Sequence, residues 1–379
     1  MLKEFSGADR SIVDSAKHFA TEIIEPHALV WERDGALPRE FFLHAAERGL
    51  CGLLVPRALG GSEVSNITLA AALAEMAKSC FASTFALIVH NNLASNIARN
   101  GGERHQAFLS DMLTGKKIGA FLLTEPGAGS DAAAITTQAS SKNETDVLNG
   151  EKAWITNGAI ADILSIYVQT KANSGPAGIA NYLIEINEHP VEKTDRYRLV
   201  GANAMNVCGF SFDDVEVSKD ALMIEAGQAF KVAMGGIDTA RAMVAAMCCG
   251  ITARALEEAV NYTKQRKAFG RHVADFQTPQ HVLADVSTDL EAAHALTERA
   301  VIALDEKSGA SIAAAHAKKF ATAMAMRRVA DCMQMMGAVG ALDDYPFSRH
   351  LGCAKLSQYV DGTSEIQNVV LSRALFAAQ

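Results

Sequence analysis

The sequence predicts an α+β chain in three parts, helical, then β, then helical, and three observations carry that reading. Apolar residues recur at helical spacing up to about residue 115, the period shortens to that of strands between about 118 and 222, and helical spacing returns from about 226 onward. At 379 residues the chain also exceeds the length at which one core stops growing, so it divides. The parts are an N-terminal helical domain (1–116), a middle β domain (117–223) and a C-terminal helical domain (224–379).

In the first part, "SIVDSAKHFATEIIEPHALVWERDG" and "ITLAAALAEMAKSCFASTFALIVHNNLASNIARNG" end near Gly or Asn-Gly, which stop helices. In the second, "IGAFLLTEPGAGSD", "VLNGEKAWITNG", "DILSIYVQTK", "NYLIEI" and "FSFDDVEV" are β-rich runs divided by Gly, Pro, Asn and Asp turns. Strands without intervening helices predict an antiparallel sheet or small barrel rather than a βαβ fold. The third part reads as helices again, from "AFKVAMGGIDTARAMVAAMCCGITARALEEAVNYTKQR" to the segment after Gly362.

Composition excludes several function classes. With 49% hydrophobic residues, 21% charged residues, a net charge of −8 and no basic patch, the chain is not expected to bind nucleic acid. The first twenty residues scatter acids and lack an apolar core segment, and later apolar stretches are broken by Arg, Glu or His, so a cytoplasmic protein without a membrane span is expected. Seven cysteines without a C-x-x-C pair predict buried thiols in a reducing compartment. No two of His90, His105, His281 and His294 have the helical spacing of a metal site, so no metal is expected.

Several motifs allow two readings each. "GAGSDA" at 127–132 matches the dinucleotide fingerprint, and Glu151 follows about 20 residues on, but a strand rather than a helix comes next, which rejects a Rossmann site. The loop is then either a plain turn or a cradle in which Pro126, Gly127 and Gly129, beside Thr124 and Ser130, offer backbone N–H groups to a phosphate or a flavin edge. Trp154 in "AWIT" is either core packing or a stacking surface. Arg266 in "RKAFG" suits an ordinary helix C-terminus. Asp238 and Arg241 in "GIDTAR" stand at i, i+3, the spacing of a helical ion pair. Asp361 in "QYVDGTSEIQ" is either a helix N-cap or a base aimed at something bound against the backbone.

The order of "LLTEPGAGSD", "WITNG" some 25 residues later, "RKAFG" closing a long helix and "DGTSEIQ" near the C-terminus resembles the acyl-CoA dehydrogenase family over essentially the whole chain. The resemblance implies a central antiparallel β-barrel-like domain between an N-terminal helical domain and a C-terminal four-helix-bundle-like domain. It also implies a non-covalent FAD between the β domain and the C-terminal helices that reaches a neighbouring subunit, hence a homo-oligomer, by analogy a tetramer built as a dimer of dimers. By the same resemblance Thr124 hydrogen-bonds the flavin, Ser130 works at the phosphate and thioester-tail end, and Trp154 with Thr156 flanks the isoalloxazine. Arg266 pairs with the neighbour's pyrophosphate, Phe269 packs beside the cofactor, Gln334 faces the adenosine half, and Thr363 and Glu365 touch FAD.

On the substrate side the resemblance places Ser130, Asp238, Arg241 and Gly362, with Asp238 and Arg241 at the pantetheine arm of a CoA thioester. Asp361 would remove the α-proton while hydride leaves for flavin N5. Its backbone N–H and a ribityl hydroxyl would hold the enolate-like oxygen. The activity so implied is α,β-dehydrogenation of a short or branched acyl-CoA, with an electron-transfer flavoprotein as acceptor. An acyl group on a carrier protein, a flavin oxidase or monooxygenase resembling nitroalkane oxidases, and a degenerate homologue are the alternatives.

The chain departs from the family pattern at several positions. Asp361 stands where most relatives have Glu, and Ala240 stands where one subgroup puts its Glu. The shorter side chain retracts the carboxylate by up to about 1.5 Å, and a misplacement near 1 Å costs on the order of 10²-fold where alignment matters. Val360 replaces a frequent Tyr, "MMGAVG" replaces Gly-Gly-x-Gly, Gly352 and Cys353 replace an Arg-Asp pair expected to face a subunit or support the site, and Asn368 replaces a frequent Arg. Nitroalkane oxidases pair their Asp with an Arg at that last position, which argues against the oxidase reading.

Overall fold

The computed structural model describes residues 7–172 and 174–377 and follows the helical, β, helical order. The first part contains α1 (Gly7–Phe19), a π turn (Ala20–Ile24), α2 (Glu25–Asp34), α3 (Glu40–Glu47), α4 (Asn66–Ser79), α5 (Phe81–Asn100) and the short α6 (Glu103–Gln106) and α7 (Leu109–Leu113). Helix α4 begins where the Ser65 side chain accepts the Thr68 N–H, and α2 stops at Gly35, whose φ of +69° makes a left-handed cap. Apolar and small residues surround most of α4 and α5, and both are buried over most of their length.

The second part is one eight-stranded sheet made of β1 (Gly119–Leu122), β2 (Gln138–Lys142), β3 (Thr145–Ile155), β4 (Ile163–Gln169), β5 (Ile179–Glu185), β6 (Glu192–Lys193), β7 (Cys208–Ser218) and β8 (Leu222–Ile224). Its order is β6-β7-β3-β2-β4-β5-β8, with β1 beside β4. Most neighbours are antiparallel, but β4 runs parallel to both β1 and β2, so the sheet is mixed rather than the antiparallel one predicted. The intervening strands supply the reason: the β2–β3 hairpin is the long crossover between β1 and β4, and β3 is the crossover between β2 and β4, in place of a helix. Strand β4 is buried on both faces, which explains its unbroken apolar run. Leu164, Ile166 and Val168 enter the core of the sheet itself, whereas Ile163 and Tyr167 point toward the helices and share a second core with Leu93 and Ile97 of α5.

The third part holds α8 (Ala229–Gln265), β9 (Lys267–Ala268), β10 (Arg271–His272), α9 (Gln277–Asp305), α10 (Ala310–Met336), α11 (Phe347–Ser357) and α12 (Ser364–Ala377). Helix α8 packs against α4, α9 and α10. It is long and apolar enough to cross a membrane by length and composition, although Arg241 and Arg254 interrupt it, and the stretch from Arg241 to Thr252 is buried in this bundle. Arg266 ends α8 as the sequence suggested, its N–H donating to the Tyr262 carbonyl at 2.8 Å, but the rest of the "RKAFG" segment is not a helix end. It lies beyond the end of the helix and forms the β9–β10 hairpin, with Phe269 (φ +51°) and Gly270 (φ +80°) at its tip. Positive φ at both central residues is the type I′ pattern that matches strand twist. All seven cysteines are free and buried, as expected.

The Gly352 and Cys353 departure also finds its reason inside the chain rather than at a subunit face. A Cβ on Gly352 would lie 2.2 Å from the Val200 carbonyl oxygen, and the Cys353 thiol donates to the Gly201 carbonyl at 2.9 Å. Two backbones meet there, and an Arg would not fit.

Gly250 plays a similar part where α8 crosses α4, since an added Cβ would lie 2.3 Å from the Ala74 carbonyl oxygen. Gly250→Ala is therefore expected to destabilise the chain by about 1–3 kcal/mol through overpacking. A thermal melt reads this as a lowered Tm, and an unchanged Tm would contradict the close crossing.

Candidate active site

Asp361 sits in the short turn between α11 and α12, with φ of +52° followed by Gly362 at +93°. Asp is among the few residues that enter this left-handed region at modest cost, and Gly enters it freely. The turn is held by its carbonyls. Arg241 of α8 donates through Nε to the Asp361 oxygen at 3.0 Å, while Lys318 of α10 and Gln367 of α12 donate to the Gly362 oxygen at 2.7 and 2.9 Å. Neither cation hydrogen-bonds the Asp361 carboxylate.

The carboxylate is instead left open. Its Oδ2 is buried and without a hydrogen-bond partner among the described residues, and the backbone N–H of Asp361 donates to none of them. The N-cap of α12 is Thr363, whose Oγ1 accepts the Ile366 N–H at 3.3 Å, so the capping role considered for Asp361 falls to its neighbour. Burial pushes the Asp361 carboxyl up from 3.8 to about 6, opposed by the nearby charges of Lys318 and Arg241. Burial likewise lowers the Lys318 ammonium to about 8, with Asp361 opposing.

Asp361 lines a cavity of about 410 Å³ whose walls come from all three parts of the chain. Helix α5 contributes Val89, Leu93 and Asn96, strands β1 and β4 contribute Phe121 and Tyr167, and the first turns of α8 contribute Val232, Ile237 and Ala240. Asp238 and Arg241 form the i, i+3 ion pair at 2.8 Å, and Ser311 of α10 also donates to Asp238. That pair is directed at the base turn.

A second face lies on the β domain. The Ala153 N–H donates to the Thr124 carbonyl at 3.0 Å, which sets Thr124 beside Trp154 and Thr156. Trp154 is 60% exposed at φ +62°, where the β3–β7 register slips, and its ring meets Tyr197 edge-on at 4.9 Å. An exposed Trp in a costly backbone conformation is not core packing. Beneath it, the buried Glu125 accepts from Thr136, Thr137 and Lys152, and Lys152 also donates to the Leu123 carbonyl at 3.0 Å. Burial alone would raise the Glu125 carboxyl, but Lys152 and the threonine hydrogen bonds hold it below its ordinary value. The 127–132 segment continues into a 3₁₀ turn (Ala132–Ala134) and then β2, with no Rossmann helix. Gly127 has open space around its Cβ position, and Gly129 nothing closer than 4.0 Å, so the loop edge is free to approach a ligand.

Matches to the models of the acyl-CoA dehydrogenase N-terminal domain over residues 6–116, the middle domain over 120–215 and the C-terminal domain over 227–376 account for nearly all of the sequence. The chain belongs to the acyl-CoA dehydrogenase family. It is 34% identical to an acyl-CoA dehydrogenase of Bacillus subtilis over 361 residues, covering 95% of each chain. It is 32% identical to the CarC subunit of the caffeyl-CoA reductase-Etf complex of Acetobacterium woodii over 378 residues, covering 98% of this chain and 99% of that one. The butyryl-CoA dehydrogenase structure from Megasphaera elsdenii superposes with a TM-score of 0.93 at 31% identity, covering 99% of this chain and 100% of that one.

Acyl-CoA dehydrogenases are oxidoreductases that use FAD, and the exposed Trp154, Thr124, Thr156 and the open loop through Ser130 fit a planar cofactor with a phosphate tail. The structure thus brings the Asp361 turn, the cavity and α8 together, and separately gathers Thr124, Trp154 and Thr156 on the β domain. Arg266, Phe269 and Gln334 stand apart and exposed, Phe269 at 96%. Arg266 lies 25 residues beyond Arg241 along α8, a separation of roughly 37 Å at helical rise. Thr363 caps α12, and Glu365 is exposed in its first turn.

Sequence reasoning missed Lys318, Tyr167, Asn96 and the Glu125–Lys152 pair. The available signal was helix phase for Lys318, which is buried while Lys319 is not, and an unbroken apolar strand for Tyr167.

The raised carboxyl gives a signed expectation. Because the folded value exceeds the unfolded one, stability is fully present below about pH 3.8 and is lost as pH rises through about 6. Asp361→Asn in the flavin-loaded protein is expected to be more stable than the parent by about 2–3 kcal/mol at pH 8 and close to it at pH 4. Denaturant melts at both pH values measure this, and a gap independent of pH would contradict it.

Proposed function

We propose that this acyl-CoA dehydrogenase oxidises a short or branched acyl thioester between its α and β carbons, with Asp361 as the base. The observation that carries the reading is the carboxylate without a partner, held at a cavity wall by bonds to the backbone around it. A base must be free to take a proton, and cations bonded to the carbonyls hold the turn without occupying its carboxylate. A value near 6 leaves Asp361 ionised at neutral pH yet more basic than an exposed Asp.

In the reaction the α C–H bond breaks, its proton passes to a carboxylate oxygen of Asp361, and the electron pair becomes the new double bond as hydride leaves the β carbon. FAD, when bound, supplies the hydride acceptor. The free N–H of Asp361 is placed beside the reacting carboxylate as one donor to the thioester oxygen. The apolar wall of Leu93, Phe121, Val232 and Ile237 keeps water from the base.

Trp154, Thr124, Thr156 and Ser130 hold the flavin in this reading. Arg266, Phe269 and Gln334, too far along the chain to serve the same site, reach the cofactor of a second copy, which makes the working unit a dimer or a dimer of dimers. Its Phe269 tip then exchanges solvent for cofactor or partner, which offsets the strain of its backbone. The similarity to a subunit of an Etf complex supports an electron-transfer flavoprotein as acceptor, and that to a butyryl-CoA dehydrogenase supports a short acyl group on CoA.

Anaerobic mixing of the yellow protein with straight and branched acyl-CoA thioesters is expected to bleach the flavin, the colour staying low in air until electron-transfer flavoprotein is added. Immediate reoxidation with peroxide would replace this reading with an oxidase. Asp361→Asn should keep its flavin and lose about 10²–10⁴-fold in the bleaching rate; a loss of only a few fold would remove Asp361 as base. Arg266→Ala should lose FAD on gel filtration, and full retention would contradict sharing between copies.

A further inference from the structure

The cavity at Asp361 is not lined as a hydrocarbon chain alone would require. Along α5 the side chains of Asn92, Ser95, Asn96 and Arg99 fall on one helical face and line it, and Lys307 joins them at the mouth. Asn and Arg bring polar groups to a wall where Leu or Met would serve an apolar acyl group equally well.

The hydrogen bonding of this wall has a sign. The Asn96 Oδ1 already accepts from Asn100 Nδ2 at 2.8 Å, so the part of Asn96 that remains unpaired is its N–H donor pair. Tyr167, fully buried on β4, lines the same cavity, and its hydroxyl makes no well-aligned hydrogen bond among the described residues, the side chains of Asn96 and Ser165 being the polar groups close enough to act on it. Leaving a buried hydroxyl unpaired is costly, so such a group points to a missing partner. Arg99 and Lys307 offer only donors, and no carboxylate other than Asp361 lines the cavity.

Two cations and no carboxylate besides Asp361 give this wall an excess of donors, which takes an acceptor. We propose that the acyl group carries an oxygen acceptor away from the thioester, a carboxylate or an amide carbonyl, received by Asn96 and the Tyr167 hydroxyl with Arg99 and Lys307 beyond. This rests on the dehydrogenase reading and narrows its substrate class from short acyl thioesters to short oxygen-bearing ones. An apolar acyl group of the same length would leave the Tyr167 hydroxyl without a well-aligned partner and the cations facing hydrocarbon, which is how a polar site rejects an analogue that lacks the matching group.

The test uses a six-carbon trio of CoA thioesters: hexanoyl, adipyl with a terminal carboxylate, and the adipyl derivative with a terminal primary amide. Binding is followed by the change in flavin absorbance of the Asp361→Asn holoenzyme, which separates recognition from turnover. Failure of the wild type to be bleached by any thioester would count against the dehydrogenase reading, whereas the binding order alone decides this inference. Adipyl-CoA or its amide is expected to bind at least about tenfold tighter than hexanoyl-CoA. Adipyl ahead of the amide assigns part of the recognition to Arg99 and Lys307, and equal binding assigns it to Asn96 and Tyr167.

Adding Tyr167→Phe should shrink the preference to about threefold or less. That substitution removes only a hydroxyl without a partner, so the protein should fold with an unchanged or raised Tm. Hexanoyl-CoA binding as tightly as the other two, or a preference that survives Tyr167→Phe together with Asn96→Leu, would overturn the proposal.

Discussion

The structure depends on one carboxylate kept free. Asp361 is half-buried at the junction of three helices, with its Oδ2 fully buried and two cations beside it, in a setting where a carboxylate would ordinarily be tied up in an ion pair. It is not tied up because Arg241 and Lys318 donate to the carbonyl oxygens of Asp361 and Gly362 instead. The left-handed turn makes this possible, since it presents those carbonyls toward α8 and α10. The cations hold the loop and moderate the charge of the carboxylate. They do not quench it.

Everything else that positions the site follows from how the three parts meet. The two-faced burial of β4 lets one strand serve the sheet core with Leu164 and Ile166 and the cavity with Tyr167. Helix α8 approaches α4 closely at Gly250 and carries Arg241 at the Asp361 turn and Arg266 far from it. In the proposed reading the same helix supports the Asp361 turn in one copy and offers its hairpin to the cofactor of another.

The three-part order was legible because it rests on local signals, period and turn residues, whereas the choice between core packing and an open surface for Trp154 waited for the structure, which exposes it. What was not legible depended on partners distant in sequence. The parallel pairing of β4 with β1 and β2 needs strand order, which alternation does not encode. "RKAFG" carries the cation, aromatic and Gly of a helix end and also the X-Gly of a type I′ hairpin, and only the stop of α8 at Gln265 chooses between them. The N-cap passed from Asp361 to Thr363 because both are good caps two residues apart and the turn geometry decides. Lys318 stands next to Lys319, and burial separates them only once α10 is packed.

The central claim, that Asp361 is a desolvated and unpaired carboxylate, is tested most directly by infrared difference titration of the flavin-loaded protein against Asp361→Asn. The carbonyl stretch of the protonated acid, present in the parent and missing from the variant, reports this one group. The account gives a band that disappears with a midpoint near pH 6. A midpoint near 4 or below would mean that the carboxylate is paired or hydrated after all, and the role assigned to it would fall.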